Sequence, residues 1–416
     1  MELSALVGRV ARTTGLRLGA LALSSVTMIL AARWLGPQGR GEVAAINSWF
    51  FLLCAFGSLS LGQAAVHRAA NTRGRAWIAE TLGGLLAAAA ALTALGWLLS
   101  ALSSLLPSGG PLAGLGLVPC LLGAAMLPLL LVDQYLSALL PAADILPSYN
   151  RALLVSRAVG LSAAALAIVV LHLGIGGALA AALAAQLVLV GLSLHALHQR
   201  REGPLRAQWS SLRPLLEAGL RLHIGTLGLS WVTTINILLL QRFHGPTQTG
   251  FFSLANDLSS VPLLLAQAVS AELVARVGSD GADAALASGR KLLPWLCAVS
   301  LVAIAVGQLI VPQLVPLLLG NDYAGAGAPL NLLLWSLLLQ VPIAVMSPQW
   351  VSRGLFVAGS LAMLAATLLN ALLALWWIPA QGAFGAALAS LTAQVLLAVI
   401  NLALLIRLTV GRSTAA

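Results

Sequence analysis

The chain has 416 residues, of which 60% are hydrophobic and only 8% are charged. A soluble domain carries about 25% charged residues, so this composition excludes a water-soluble fold and predicts an all-α integral membrane protein. The 22 lysines and arginines outnumber the 12 aspartates and glutamates and leave a net charge of +10, which either a nucleic-acid partner or a membrane topology could explain.

Intervals without charged residues predict twelve transmembrane spans. The interval 81–132 contains 52 such residues, which as one helix would be about 78 Å long against a hydrocarbon core of roughly 30 Å. It must therefore be a hairpin, and the turn residues at 107–111 mark its bend. The other predicted spans are the segment between Arg17 and Glu42, the segments 43–66, 220–241, 250–275, 290–312 and 327–351, and two hairpins that turn at 174–177 and 378–382.

The positions of the basic residues predict the orientation. With the N-terminus in the cytoplasm, all but three of the 22 lie on the cytoplasmic side, and the exceptions are Arg33, Arg40 and Arg242. The positive charge is thus a topology signal, and no nucleic-acid partner is expected. The alanine, leucine and arginine bias is typical of a GC-rich bacterial genome. We therefore expect the bacterial cytoplasmic (inner) membrane, with both termini in the cytoplasm.

The chain contains an internal repeat. At an offset of 209, nine of the 36 positions between residues 12 and 47 are identical. The identical residues are Arg12, Leu18, Gly19, Leu30, Arg33, Gly36, Pro37, Gly41 and Asn47, which recur as Arg221, Leu227, Gly228, Leu239, Arg242, Gly245, Pro246, Gly250 and Asn256. The repeat predicts a six-helix lobe over 1–198, a cytoplasmic linker over 199–219 and a second lobe over 220–416. Because six is even, the lobes share one orientation, as in transporters with parallel repeats and a substrate site at the repeat interface.

The repeated turn also carries a family resemblance. The string RWLGPQGRGE over 33–42 resembles the polysaccharide-biosynthesis flippases of the MOP superfamily, and its counterpart over 245–256 fits the turn between spans 7 and 8 of that family. The resemblance implies a MATE-like fold that works by alternating access. It further implies that the substrate is an undecaprenyl-diphosphate-linked oligosaccharide, moved from the inner to the outer leaflet by an ion gradient or the membrane potential.

Arg17 is the first candidate for substrate binding. If span 1 runs from Arg12 to Arg33, Arg17 lies more than one turn inside the membrane, where a charge costs roughly 2.5–3.5 kcal/mol on insertion scales. A guanidinium matches phosphate oxygens bidentately, so we expect Arg17 to bind the diphosphate. The alternative is that its side chain extends back to the cytoplasmic interface.

Two embedded carboxylates are candidates for ion coupling. Asp133 lies within the fourth predicted span, which follows the turn at 107–111, and Asp257 lies about two turns into the eighth, 250–275. A buried carboxylate can carry a proton or ligate sodium, so H⁺ and Na⁺ both stay open as coupling ions. The alternative is a structural ion pair with an arginine.

Polar amides are candidates for binding the sugar. Asn47, Asn236 and Asn256 could donate hydrogen bonds to sugar hydroxyls. Membrane helices also use such residues to join one another, and this structural interpretation stays open beside the functional one.

The repeated turn itself has a structural explanation. Glycine tolerates positive φ and proline fixes its own φ, so Gly36 and Pro37 are expected to form a tight bend. The three arginines at this turn, Arg33, Arg40 and Arg242, could in addition meet the diphosphate on release.

The residues of the chain argue against two other functions. A multidrug/cation antiporter of the same superfamily needs an acidic and aromatic cavity, whereas aromatic residues make up 5% of this chain. A membrane-embedded enzyme of the glycan pathway needs an exposed catalytic loop, and the outer loops are short. No phosphate-binding loop and no metal-ligand signature occur, so we expect no enzyme, no cofactor and no metal site. We expect the protein to act as a monomer.

Overall fold

A computed structural model describes residues 2–70, 76–106, 110–205, 209–260 and 281–413, together with residues 269, 270, 273 and 277. These residues are almost entirely helical and contain no strand. The first three positions of the turn predicted at 107–111 lie outside the described residues. By the density of contacts the chain divides into two units, Met1–Leu227 and Gly228–Ala416.

In its described residues, the first unit contains six helices and the start of a seventh. They are α1 (Glu2–Gly57), α2 (Leu61–Ala70), α3 (Ala76–Ser104), α4 (Leu117–Ala142), α5 (Leu146–Ala164, continued by a π-helical segment Ala165–Val170), α6 (Gly174–His198) and the first part of α7 (Trp209–His244). The contact boundary between the units falls inside α7. The linker predicted over 199–219 is therefore partly helical, and the assignment of lobes and linker stays a prediction.

Besides the rest of α7, the second unit contains five helices whose bounds lie within the described residues, and residues 269, 270, 273 and 277 are helical as well. The five helices are α8 (Pro246–Ser260), α9 (Ala282–Leu319), α10 (Gly327–Leu334) after a 3₁₀ segment (Asn321–Ala326), α11 (Ser336–Ser352) and α12 (Phe356–Ser413). Eight stretches of the described residues are long and apolar enough to cross a membrane. Two of them, over 15–57 and 357–408, are each long enough to cross twice. The helix is interrupted at Gly36 in α1 and at Gly382 in α12, so the chain can turn back there.

The repeated Gly-Pro turn has the conformation expected from the sequence. Gly36 has φ 65° and Gly245 has φ 74°, both in the left-handed region. Pro37 and Pro246 follow directly and begin the next helical segment, where a missing N–H costs nothing. The expectation of a tight bend at each copy is confirmed.

The hairpin predicted at 378–382 has a glycine bend of the same kind. Gly382 has φ 56° and interrupts α12. The side-chain oxygen of Gln248, near the start of α8, accepts a hydrogen bond of 3.1 Å from the backbone N–H of Ala383. The start of α8 thus stabilises the bend that separates the two halves of α12.

The second predicted span, 43–66, is not one continuous helix. Leu59 and Ser60 have φ of 47° and 50°, so the chain breaks between α1 and α2. The break packs against α7 within the same unit: a Cβ added at Gly219 would lie 2.5 Å from the carbonyl oxygen of Leu59. The hydroxyl of Ser60 lies 3.1 Å from Nδ1 of the buried His223. Nothing in the local sequence at 58–60 indicates this break, which depends on the packing of α7.

The core of the first unit is formed by large apolar side chains of α1, α3 and α4. Phe50, Leu85, Leu127 and Leu131 are almost fully buried there. Many other leucines, such as Leu121 on α4, are more than half exposed. Apolar surface on this scale requires a lipid environment.

We predict that Gly36→Ala lowers the thermal stability of the purified protein in detergent. A Cβ at this position meets no atom within 4 Å, so the cost is that of the backbone conformation alone, which at φ 65° and ψ −179° is essentially restricted to glycine and costs about 1–3 kcal/mol for another residue. Thermal unfolding followed by intrinsic tryptophan fluorescence measures the change. Gly191→Ala is the matched control, because Gly191 also has open space but lies within α6 without a positive φ. An equal loss of stability in both variants would contradict the prediction.

Candidate functional site

Two residues predicted for different roles are linked through α5. Nε of Arg17 donates a hydrogen bond of 3.2 Å to Oδ1 of Asn150. The hydroxyl of the neighbouring Tyr149 donates a long hydrogen bond of 3.4 Å to Oδ1 of Asp133. The start of α5 therefore connects Arg17 on α1 with Asp133 on α4, and Arg17 lies within electrostatic range of Tyr149. Sequence reasoning identified the two charged residues but neither of the two that join them.

The two predicted residues differ in accessibility. Arg17 is exposed apart from its contact with Asn150, so a ligand could reach its guanidinium. Asp133 is partly buried and lies nine residues before the end of α4, which is about 14 Å along the helix. Asn150 is fully buried, and its Nδ2 has no hydrogen-bond partner among the described residues. The network therefore combines an accessible cation with a carboxylate that is deeper in the unit.

Two further polar residues of this region were missed by the sequence reasoning. Arg157 lies eleven residues after the start of α5, about 16 Å along the helix, and was counted with the cytoplasmic arginines. It lies within electrostatic range of Asp133, and Gln186 on α6 lies close to the same carboxylate. The signal that could have found Arg157 is its spacing of seven residues from Asn150, which puts both on one face of α5.

The outer-turn arginines have different environments. Arg33 and Arg242 are exposed, whereas Arg40, which follows the Gly36 bend, is only 9% exposed. From the sequence alone, the same role was predicted for all three. Arg40 is held within the packed turn, whereas Arg33 and Arg242 are accessible.

Asn236 lies in the second unit and is fully buried. Its Nδ2 donates to Oγ of Ser390 at 2.8 Å and to Oδ1 of Asn370 at 3.3 Å. Asn370 in turn donates to Oδ1 of Asn236 at 3.1 Å, and the carbonyl oxygen of Ala386 is a further acceptor at 3.3 Å. These bonds join α7 to both halves of α12, which is what the structural interpretation of the membrane asparagines expects.

The remaining predicted residues are scattered over both units. Oδ1 of Asn256 accepts a hydrogen bond of 3.3 Å from Thr233 of α7. Asp257, the next residue on α8, is partly buried. Asn47 is partly buried in the second half of α1, and its Oδ1 has no hydrogen-bond partner in the described part of the chain. Their assignment to substrate binding and ion coupling stays a prediction.

The described residues include histidine, cysteine, aspartate and glutamate side chains, which are the usual metal ligands. Within them, no group of three histidine, cysteine, aspartate or glutamate side chains could hold a metal ion. The cysteines, Cys54, Cys120 and Cys297, are all free thiols. The polar chemistry of the described chain therefore lies in its arginines, amides, hydroxyls and isolated carboxylates.

The chain is similar in sequence to one family and in structure to several transporters. Residues 10–272 match the family described as polysaccharide biosynthesis protein. The structure of the lipid II flippase MurJ in an inward closed conformation has a TM-score of 0.74 at 14% identity, covering 96% of this chain and 87% of that chain. A multidrug resistance MATE family transporter of the MOP superfamily, inward-facing, has a TM-score of 0.70 at 14% identity, covering 96% of this chain and 99% of that chain.

A third similar structure is a MOP superfamily transporter from Pyrococcus furiosus, with a TM-score of 0.67 at 15% identity, covering 96% of this chain and 95% of that chain. No curated protein matches the sequence. The structural similarities show the fold: an all-α integral membrane protein with the twelve-helix, MATE-like arrangement of two six-helix lobes. The fold predicted from charge-free intervals and the internal repeat is confirmed.

We predict that Asn236→Ala destabilises the protein by about 1–3 kcal/mol, because the substitution leaves buried polar groups of Asn370 and Ser390 without their partner. Thermal unfolding in detergent measures the loss. Asn47→Ala is the matched control and should change stability little, since Oδ1 of Asn47 has no described partner to lose. An Asn236 variant as stable as the wild type would show that the buried amide bonds do not hold α7 to α12.

Proposed function

The chain belongs to the polysaccharide biosynthesis protein family, and from this membership we propose that it is a flippase for an undecaprenyl-diphosphate-linked oligosaccharide. It moves this lipid from the cytoplasmic to the outer leaflet of the bacterial inner membrane by alternating access of its two lobes. Both termini lie in the cytoplasm, and the protein acts as a monomer. The observation that carries the proposal is an accessible arginine on the first helix, held by a buried amide of α5.

Arg17 supplies the chemistry that a lipid diphosphate requires. Its contact with Asn150 uses Nε and leaves both terminal nitrogens of the guanidinium without a described partner. Those nitrogens can donate two parallel hydrogen bonds to phosphate oxygens, and a charge-assisted pair of this kind is stronger than a neutral one. The buried Asn150 limits the rotation of the arginine, which lowers the entropy lost on binding.

The accessible outer-turn arginines, Arg33 and Arg242, meet the diphosphate on release, and Arg40 stabilises the turn that follows Arg33. Asn47 and Asn256 contact the sugar. Asn236 is the weakest of the predicted sugar contacts, because its amide is already engaged by α12. These roles follow from the family membership and from the accessibility of each side chain.

Energy for the movement comes from an ion gradient or the membrane potential. A diphosphate is anionic, so an inside-negative potential favours outward movement by about 2.3 kcal/mol per charge per 100 mV. Asp133 and Asp257 are the coupling carboxylates, for H⁺ or Na⁺. Asp133 is the better supported of the two, because its network reaches the phosphate-binding Arg17 through two consecutive residues of α5.

We predict that deleting the gene makes lipid-linked oligosaccharide accumulate on the cytoplasmic leaflet, and that an Arg17→Ala gene fails to reverse this although the protein is made at the wild-type level. Accessibility of the labelled lipid to a membrane-impermeant enzyme in right-side-out and inverted vesicles measures the leaflet. Arg213→Ala is the control, because Arg213 is exposed and pairs with Glu217 on the helix surface.

Two outcomes would contradict this proposal. Unchanged lipid-linked pools together with altered drug sensitivity in the deletion strain would favour a multidrug/cation antiporter. Full complementation by Arg17→Ala would remove Arg17 from the site while leaving the family assignment intact.

We predict that Asp133→Asn removes the stimulation of flipping by an imposed pH or sodium gradient but retains the response to membrane potential. Flipping of a short polyprenyl-diphosphate sugar in proteoliposomes, with each gradient applied separately, measures both. Asp257→Asn tested in parallel identifies which carboxylate couples, and Glu217→Gln, on the exposed surface, is the control. A wild-type gradient response in both aspartate variants would contradict ion coupling by these residues.

A further inference from the structure

One face of α1 and one face of α5 meet along what we call the α1–α5 seam. On α1 the face comprises Arg17, Ser24, Thr27 and Ala31, and on α5 it comprises Asn150, Arg157, Gly160, Ala164 and Ile168. Spacings of seven, ten and fourteen residues keep side chains on one side of a helix. The bond between Arg17 and Asn150 joins the two faces near the start of α5.

Beyond that bond the seam opens into a cavity of about 170 Å³ inside the first unit. Its walls are α6 and the part of the α1–α5 seam that lies beyond Arg17 and Asn150, which do not line it. The lining residues are Ser24, Thr27, Ala31, Arg157, Gly160, Ala164, Ile168, Ala178, Ala181, Ala182 and Ala185. All except Arg157 and Ile168 are small, so the cavity exists because short side chains line three helices. Arg157 is the single charged residue of this lining.

Arg157 lies within electrostatic range of Asp133 and Tyr149. It is partly buried, and it makes no hydrogen bond or ion pair with any residue that the structure describes. Asp133 acts on it electrostatically but is not among the lining residues. A charge at membrane depth is costly, and such residues mark binding sites or ion pathways by default. Arg157 therefore places a cation on the wall of the cavity.

The internal repeat offers a comparison within the same chain. At the offset of 209, Thr27 corresponds to Asn236. In the second unit Asn236 is fully buried and bonded to Asn370 and Ser390, so its helix interface is closed by protein groups. In the first unit Thr27 instead lines the cavity with Arg157. At this position of the repeat, amide and hydroxyl groups fill the helix interface of the second unit, whereas the helix interface of the first unit contains the cavity beside Arg157.

We propose that this cavity is a binding site for one phosphate-type oxyanion, held by the guanidinium of Arg157. The hydroxyls of Ser24 and Thr27 are further donors. They now donate to the carbonyl oxygens of Ala20 and Leu23, at 2.9 and 2.8 Å, and a hydroxyl hydrogen can rotate to a new acceptor. The site is separate from the Arg17 position of the proposed function and does not depend on it. The oxyanion is either free phosphate or the phosphate of a prenyl lipid.

The test is isothermal titration calorimetry of the purified full-length protein with inorganic phosphate and, separately, with geranyl phosphate. The protein background is Arg17→Ala, which removes the other proposed phosphate-binding arginine. We expect binding of one equivalent, weakened at least about tenfold by Arg157→Gln, since the loss of a charged hydrogen-bonding partner is of that size. Binding of inorganic phosphate would identify a free-oxyanion site, and binding of geranyl phosphate alone would identify a lipid headgroup site.

Matched variants separate the site from general effects. Ala182→Leu adds three carbon atoms inside the cavity and should weaken binding with Arg157 intact, whereas Ala158→Leu makes the same change on the exposed side of α5 and should not. Arg151→Gln, an exposed arginine of the same helix, should bind like the parent protein. No binding of either probe, unchanged binding in Arg157→Gln, or equal effects of the two leucine variants would overturn the proposal. Failure of flipping with binding retained would count against the proposed function alone.

Discussion

In a hydrocarbon environment each backbone N–H and C=O must find its partner within its own helix, and the remainder of this structure depends on that constraint. The chain can reverse direction only where the helical bonds can be interrupted. At Gly36, Gly245 and Gly382 a glycine with positive φ makes the interruption possible. The break at Leu59 and Ser60 is different in kind, because residues with side chains adopt positive φ there and the packed α7 supplies the surrounding contacts.

Once the backbone hydrogen bonds are made within each helix, no hydrophobic driving force brings the helices together, because lipid tails are as apolar as the side chains. The helices must therefore be joined by close packing and polar contacts. The two units meet this requirement with different chemistry. The first joins α1, α4 and α5 through groups that include charges, Arg17 and Asp133. The second joins α7 and α12 through neutral groups, Asn236, Asn370 and Ser390. The helix contacts of the first unit thus include embedded charges, whereas the contact between α7 and α12 in the second unit is neutral, and a phosphate-binding role is proposed for the first unit.

The candidate site was only partly predictable from the sequence. Arg17 and Asp133 could be predicted because a charged residue inside an apolar segment is evident from the sequence alone. Tyr149 and Asn150 could not, since a tyrosine and an asparagine near a helix start are ordinary until their partners on α1 and α4 are known. Arg157 was not singled out, because the positive-inside rule offered a sufficient explanation of its charge before the structure placed it eleven residues inside α5.

The sequence by itself determined the membrane class, the twelve spans, the repeat and the conformation of the Gly-Pro turn, because hydropathy, charge position and glycine placement act locally along the chain. Only the tertiary structure decided which polar residues meet. It showed that Asn236 is used to join helices and that Arg157 lines a cavity. The physical reason is that the role of a polar side chain in a membrane depends on the groups that it contacts across a helix interface. Residues far apart in sequence form that interface.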